Sequence, residues 1–288
     1  MKQAFLIIAH HQYDILKTLV KLLDNVSTDI YIHIDKKSSL PQNLETIHSK
    51  LFLLKKRIDV RWGDYSQIQT ELLLFKTAYN NGPYLYYHLL SGVDLPIKPI
   101  NYIISFFEKN KGKEFIGFVK EESWLYKINS FHFFTKYYHT KGWFSQLFIN
   151  KLKETSENLF NKYFPRKTYH ITYKKGCNWC SITNDFCHYL LKQEKFIRKR
   201  YKFTFCADEI FIQSVIWNSQ YKKNIYSIED EYESCMREID WKRGTPYTWS
   251  NTAKDIDLLK KSKKLFARKF GLNHNLIIKE LQITNSIL

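Results

Sequence analysis

An α/β domain with a mostly parallel central sheet flanked by helices is predicted for this chain, and three observations predict it. The first is a strand, helix and strand at the start. Residues 4–9 (AFLIIA) are a continuous apolar run, 14–24 (DILKTLVKLLD) place apolar residues at i, i+3 and i+4, and 29–35 (DIYIHID) are rich in β-formers. Parallel strands need a crossover, so this is a βαβ unit. The second is a looser return of the same alternation through IDVRW at 58–62, a helix at 67–79 and the apolar strand YLYYHLL at 84–90. The third is composition: 44% hydrophobic and 25% charged residues over 288 positions, with no internal repeat and no Gly-, Pro- or Ser-rich linker, fit a single domain spanning 1–288.

Ligands of open α/β sheets sit beyond the carboxyl ends of the strands. The polar residues just after the apolar runs are His10, Asp35, Trp62 and Asp94, and they are expected to share one crevice. From residue 123 to about 166 the pattern loosens into aromatic, Lys-rich helical stretches, with Phe131, Phe133, Phe134, Tyr137 and Tyr138 crowded together. This block is expected as an insertion over the sheet. Order returns with CNWCSIT at 177–183 as a short strand and a helix at 184–193. The segment 205–218 (FCADEIFIQSVIWN) predicts a helix with Asp208 and Glu209 at its start, and RGTPYTW at 243–249 a loop. A helix from about residue 250 then carries Asp255 near its beginning.

Lys and Arg outnumber Asp and Glu by 45 to 28, giving a net charge of +17, so the surface attracts polyanions, phosphates or an acidic membrane face. Nucleic acid is the first guess from charge alone, but no RNP-like, zinc-finger or helix-turn-helix pattern accompanies it. The apolar start is six residues long, far short of the roughly 20 that span a bilayer, and has no cleavage pattern. The chain is therefore expected to stay in the cytoplasm, peripheral on the inner face of the plasma membrane, where clustered cations gain from anionic lipid. Five cysteines (177, 180, 187, 206 and 235) are expected as thiols; Cys177-x-x-Cys180 lacks the second pair a zinc site needs.

Two adjacent acids can keep one pKa raised, which suits Glu209, next to Asp208, to general-base work; the plainer reading is two acids favoured by a helix N-terminus. The chain's Asp-x-Asp, Asp255 and Asp257, falls in the first turn of a helix rather than after a strand, so it is read as structural and no metal is expected. Without a metal, Arg or Lys must hold phosphate oxygens, and Arg237, Arg243, Arg268 and Lys269 are the candidates.

Nine segments in order carry a resemblance: AHH at 9–11, YIHIDKKS at 31–38, VRWGDYSQIQTELLLF at 60–75, YYHLLSGVDLPIKP at 86–99, GKEFIGF at 112–118, KGCNWCSIT at 175–183, FCADEIFIQSVI at 205–216, REIDWKRGTPYTW at 237–249 and LFARKF at 265–270. Together they resemble the core-2/I-branching β-1,6-N-acetylglucosaminyltransferases, a family that includes the protein xylosyltransferases, in the form of a compact bacterial relative. The resemblance implies a GT-A-like (Rossmann-like) fold, a nucleotide-binding half at 1–120 and an acceptor and catalytic half at 121–288. It implies inverting transfer of a sugar, first of all N-acetylglucosamine, from a UDP-sugar to a hydroxyl of a glycan or lipid-linked saccharide. No metal or other cofactor is implied. The base falls on Glu209, although Ala207 stands where the family often has Pro, and the nucleoside contact on Asp35 with Lys37 beside it. His10, Trp62 and Asp94 match donor-side motifs; Arg237, Arg268 and Lys269 match the cations that face the diphosphate. Trp179 and Asp208 fall on the sugar and acceptor side, with Cys177 in place of a common Ser. UDP-xylose or another UDP-hexose is the alternative donor, and a non-enzymatic polyanion- or RNA-binding protein is the alternative of another class.

Overall fold

The computed structural model describes residues 1–133, 135, 151, 155–164, 166, 169–272, 276–277 and 279–280. The opening βαβ unit is present as β1 (Gln3–Ala9), α1 (Tyr13–Leu23) and β2 (Thr28–Ile34). β1 and β2 pair in parallel from Gln3 opposite Thr28 to Ala9 opposite Ile34. α1 buries Ile15, Leu16, Leu19, Val20, Leu22 and Leu23, the stripe that its periodicity demands. There follow β3 (Lys50–Leu53), α2 (Ser66–Asn81), β4 (Tyr86–Ser91), β5 (Leu95–Pro96), α3 (Ile100–Lys109) and the single turn α4 (Tyr126–Asn129). After residue 166 come β6 (Ser181–Thr183), α5 (Asn184–Lys192), α6 (Glu194–Tyr201), α7 (Phe211–Trp217), the single turn α8 (Glu231–Ser234), β7 (Arg237–Ile239), α9 (Ala253–Lys261) and β8 (Phe266–Arg268).

The central sheet has the order β3-β2-β1-β4-β6, and a small second sheet the order β5-β8-β7. Only β6 runs antiparallel in the central sheet. β1 lies in its middle and is buried on both faces, which is why it reads as an unbroken apolar run. Its side chains alternate between two cores. Ala4 and Leu6 join Leu74 and Phe75 of α2, Phe186 of α5 and Phe211 of α7; Phe5, Ile7 and Ala9 join Leu16 and Leu19 of α1, Phe107 of α3 and Phe266 of β8. The α/β class and the mostly parallel, helix-flanked sheet are as expected.

One element differs. The strand expected at 58–62 is an open loop, and the edge strand is β3 instead. The loop's amides go to side chains rather than to a ladder: Ile58 N–H donates to His33 Nε2 and Val60 N–H to an Asp35 oxygen. Asp208 and Glu209 also do not open a long helix. They sit in a separate 3₁₀ turn, Ala207–Glu209, before α7. Of the expected insertion, α4 and helical residues 155–163 are described, and the Phe131 and Phe133 rings stack at 5.6 Å. Phe134, Tyr137 and Tyr138 lie outside the described residues. No helix among the described residues is long and apolar enough to cross a membrane.

Candidate active site

A cleft of about 410 Å³ opens at the carboxyl ends of β1, β2 and β4, lined by His10, Asp35, Lys37, Trp62, Trp179 and Arg268 among others. These six come from segments spread from residue 10 to residue 268; five were expected together on the donor side, and Trp179 on the sugar and acceptor side. One closed ring of hydrogen bonds fastens the Asp208–Glu209 turn to it. Gly63 N–H donates to Gln67 Oε1 (2.5 Å), Gln67 Nε2 to Asp208 Oδ2 (2.9 Å), and Cys206 N–H back to the Gly63 carbonyl (3.0 Å). Only glycine fits at 63: φ is +71° and a Cβ would come within 2.4 Å of the Phe205 ring. Trp62, half exposed, packs edge-on against the same Phe205.

The β2 end is braced rather than open. Asp35 accepts from Lys37 N–H (2.8 Å), from Lys37 Nζ (2.9 Å) and from Val60 N–H (3.2 Å). Lys37 also donates to Asp59 and to the Val60 carbonyl, so its three ammonium hydrogens are all engaged. Any group that binds Asp35 must share it with these partners. Arg57 donates to the carbonyls of Ile34, Asp35 and Ser38 and holds the loop's other side. Burial pushes the His33 pKa down to about 4, keeping the ring neutral and able to accept from Ile58. At the cleft mouth the His10 ring stacks on His11 at 4.0 Å, and desolvation lowers both their pKa values.

Arg268 closes the opposite wall. Its Nη1 meets Asp94 Oδ1 at 3.2 Å, and its guanidinium lies 4.4 Å from the centre of the Trp179 ring. Asp94 is 1% exposed, accepts from Ser91 N–H (2.8 Å), and does not line the cleft; it acts by holding Arg268. Burial raises the Asp94 pKa, and Arg268 opposes that rise. Lys269 does not line the cleft either, but its charge is near enough to help lower the pKa of His11.

Arg237 lies elsewhere. It is an inward residue of β7, 2% exposed, donating to the carbonyls of Cys235 (2.7 Å) and Cys180 (3.0 Å) and lying over the Phe266 ring at 4.6 Å. Strand alternation turns it into the core, where it ties the two sheets together; it is not brought to the cleft. Arg243 is also spent, paired with Asp240 and with Asp255 (2.6 Å) and stacked on Tyr247. Asp255 therefore fixes a loop, and Asp257 pairs with Lys261 one turn along α9 at 2.8 Å, so the Asp-x-Asp sits on a helix as expected. Cys180 is buried, and among the described residues no group of three or more His, Cys, Asp or Glu side chains could hold a metal.

Asp208 is 6% exposed, and burial, with the Glu209 charge second, pushes its pKa up to about 7. Glu209 is about a third exposed and its Oε2 meets Lys175 Nζ at 3.1 Å. Lys175 lines a second cleft of about 720 Å³ walled by Phe118, Trp124, Tyr126, Lys127 and Tyr232. The Asp208–Glu209 turn thus links two clefts: Asp208 is bonded to Gln67 of the first, Glu209 to Lys175 of the second. Several lining residues were not foreseen, namely Ser38, Val60, Gln67, Glu71, Ser91 and Asn178. Gln67 and Glu71 stand four apart within the 60–75 segment, a spacing that puts both on one face of α2.

Comparison with curated proteins finds none that matches. Residues 3–259 match the family model described as Core-2/I-Branching enzyme, which covers both sheets' strands except β8. With that match over nearly the whole chain, this protein belongs to the Core-2/I-branching enzyme family of glycosyltransferases.

Proposed function

We propose that the chain transfers a sugar, N-acetylglucosamine first of all, from a UDP-sugar to a hydroxyl of a glycan or lipid-linked saccharide, with inversion and without a metal. The observation that carries this reading is the Asp208–Glu209 turn fastened between the two clefts. The donor occupies the cleft at the strand ends and the acceptor the one walled by Trp124, Tyr126 and Tyr232, whose rings suit sugar faces. Glu209 takes the acceptor proton as the new C–O bond forms at the anomeric carbon, and the electrons of the breaking bond leave with the diphosphate. Arg268 meets that charge, with Lys269 as a longer-range cation. Asp35 holds the nucleoside end. Arg237 has no part in it.

The test is thermal unfolding in EDTA with UDP and with UDP-sugars. UDP at about 100 times its dissociation constant stabilises by about 2.7 kcal/mol, a shift of several degrees. The sugar that best adds to this, among N-acetylglucosamine, glucose, galactose and xylose, names the donor. Stabilisation only with Mn²⁺ or Mg²⁺ overturns the metal-independent reading.

A peripheral station on an anionic, cytoplasmic membrane face completes the proposal. It is supported by the +17 charge and by a groove rimmed with Lys98, Lys261, Lys263 and Lys264, with Tyr102 and Tyr226 exposed and with Glu233 and Glu238 as the opposing acids. The expected result is retention on phosphatidylserine vesicles that falls steeply with salt; equal retention on neutral vesicles would reject the electrostatic attachment.

A further inference from the structure

The floor of the strand-end cleft holds a carboxyl group that the transfer step does not use. Glu71 lines the cleft from α2, is 1% exposed, and neither of its oxygens has a hydrogen-bond partner among the described residues. Its neighbour on the same helix face, Gln67, is turned to Gly63 and Asp208. Asp208 Oδ1, also buried, is unpartnered too. The Asn178 side chain favours the carboxylate only in part, without a close hydrogen bond to either oxygen. Buried polar atoms in native proteins are nearly always bonded, so a pair of orphaned oxygens against a cleft indicates a partner that arrives with a ligand.

The chemistry of that partner follows from the state of the acid. Burial first, and the charge of Asp208 second, hold the Glu71 pKa well above the usual carboxylate range, which favours the protonated, neutral carboxyl. A neutral carboxyl offers one O–H donor and one carbonyl acceptor side by side. Two neighbouring ring hydroxyls of a pyranose match this pattern, one accepting and the other donating; a phosphate or a second carboxylate does not. Glu71 also interacts with Asp208, next to Glu209, which puts it at the sugar end of the cleft rather than at the Asp35 end.

We propose that Glu71 is a specificity-determining residue that reads ring hydroxyls of the sugar carried by UDP, without touching the bond that is made or broken. This rests on the reading of the cleft as a UDP-sugar site. A water molecule in the same place is the competing occupant.

The test compares UDP with UDP-N-acetylglucosamine, UDP-glucose, UDP-galactose and UDP-xylose on the wild-type protein and on Glu71→Gln, Glu71→Ala and Glu71→Leu. For the sugar that is recognised, the ratio of UDP-sugar to UDP affinity is expected to fall by about tenfold in the Ala and Leu variants. It should hold within about twofold in Glu71→Gln, which is neutral, of the same shape, and still both donor and acceptor. UDP affinity should not change. The ligand-free Glu71→Leu protein should also melt a few degrees above wild type, because an orphaned buried acid is replaced by an apolar group of similar size. Ratios that stay constant for every sugar in all three variants overturn the proposal and leave Glu71 to water, and a lowered melting temperature beside constant ratios assigns it to the fold. If wild type binds no UDP, the reading of the cleft has failed and this proposal falls with it.

Discussion

Replacing Glu209 with glutamine is expected to lower sugar transfer by about a hundredfold or more while UDP binding stays within about twofold of wild type. The substitution keeps the shape and leaves an oxygen to accept from Lys175, which lies 3.1 Å from the present carboxylate. What it removes is a basic oxygen able to take the acceptor proton. It also removes the negative charge that, after burial, raises the pKa of Asp208. Neither acid lines a cleft, but Asp208 is the poorer candidate for the role: it is 6% exposed and already accepts from Gln67 at 2.9 Å, whereas Glu209 is about a third exposed. Steady-state transfer beside equilibrium UDP binding separates the cases. A kcat within about fivefold of wild type would move the base away from Glu209, and a parallel loss of UDP binding would mean that the turn had collapsed.

The parts of the molecule that were legible in the sequence are those governed by neighbours along the chain. α1 declares itself by its buried stripe from Ile15 to Leu23, and β1 by an apolar run that only a strand covered on both faces needs. The same locality explains why His10, Asp35 and Trp62 could be placed, each after an apolar run, whereas Lys37, Trp179 and Arg268 were placed through the nine-segment resemblance. Where long-range partners decide, sequence reading fails. Ile58 and Val60 have the composition of a strand, but His33 and Asp35 take their amides. Arg237 has the charge for a diphosphate, yet the alternation of a three-residue strand turns it onto carbonyls of the core. Lys37 lies beside Asp35, and only the fold brings Asp59 and the Val60 carbonyl to occupy it. Glu71 sits in an ordinary helical pattern, and its orphaned burial becomes visible only once Asn178 and Asp208 have been folded around it.

Arg268→Ala should be the most damaging single change in the cleft, because two roles end together. Arg268 lines the cleft, and under the proposed function its guanidinium meets the leaving diphosphate; losing such a group typically costs about 10²–10³ in transfer. It is also the ion-pair partner of Asp94, whose side chain is 1% exposed, and removing one member of a buried pair costs about 3 kcal/mol in stability. Asp94 would be left with Ser91 N–H as its close donor, and its pKa, already raised by burial, would climb further. The sign follows: a folded-state pKa above the unfolded one stabilises at acid pH and loses that stability as pH rises through the folded value. The Arg268→Ala protein should therefore lose most stability, relative to wild type, at neutral and alkaline pH and least at acid pH. The double variant Arg268→Ala with Asp94→Asn separates the two roles, since no buried charge remains: it should recover most of the stability and none of the transfer. Arg268→Lys should sit between, keeping the charge but losing the flat contact with Trp179 and the fork that fits phosphate oxygens. Transfer that returned with stability in the double variant would reduce Arg268 to a structural partner of Asp94 and leave the diphosphate charge to be met elsewhere.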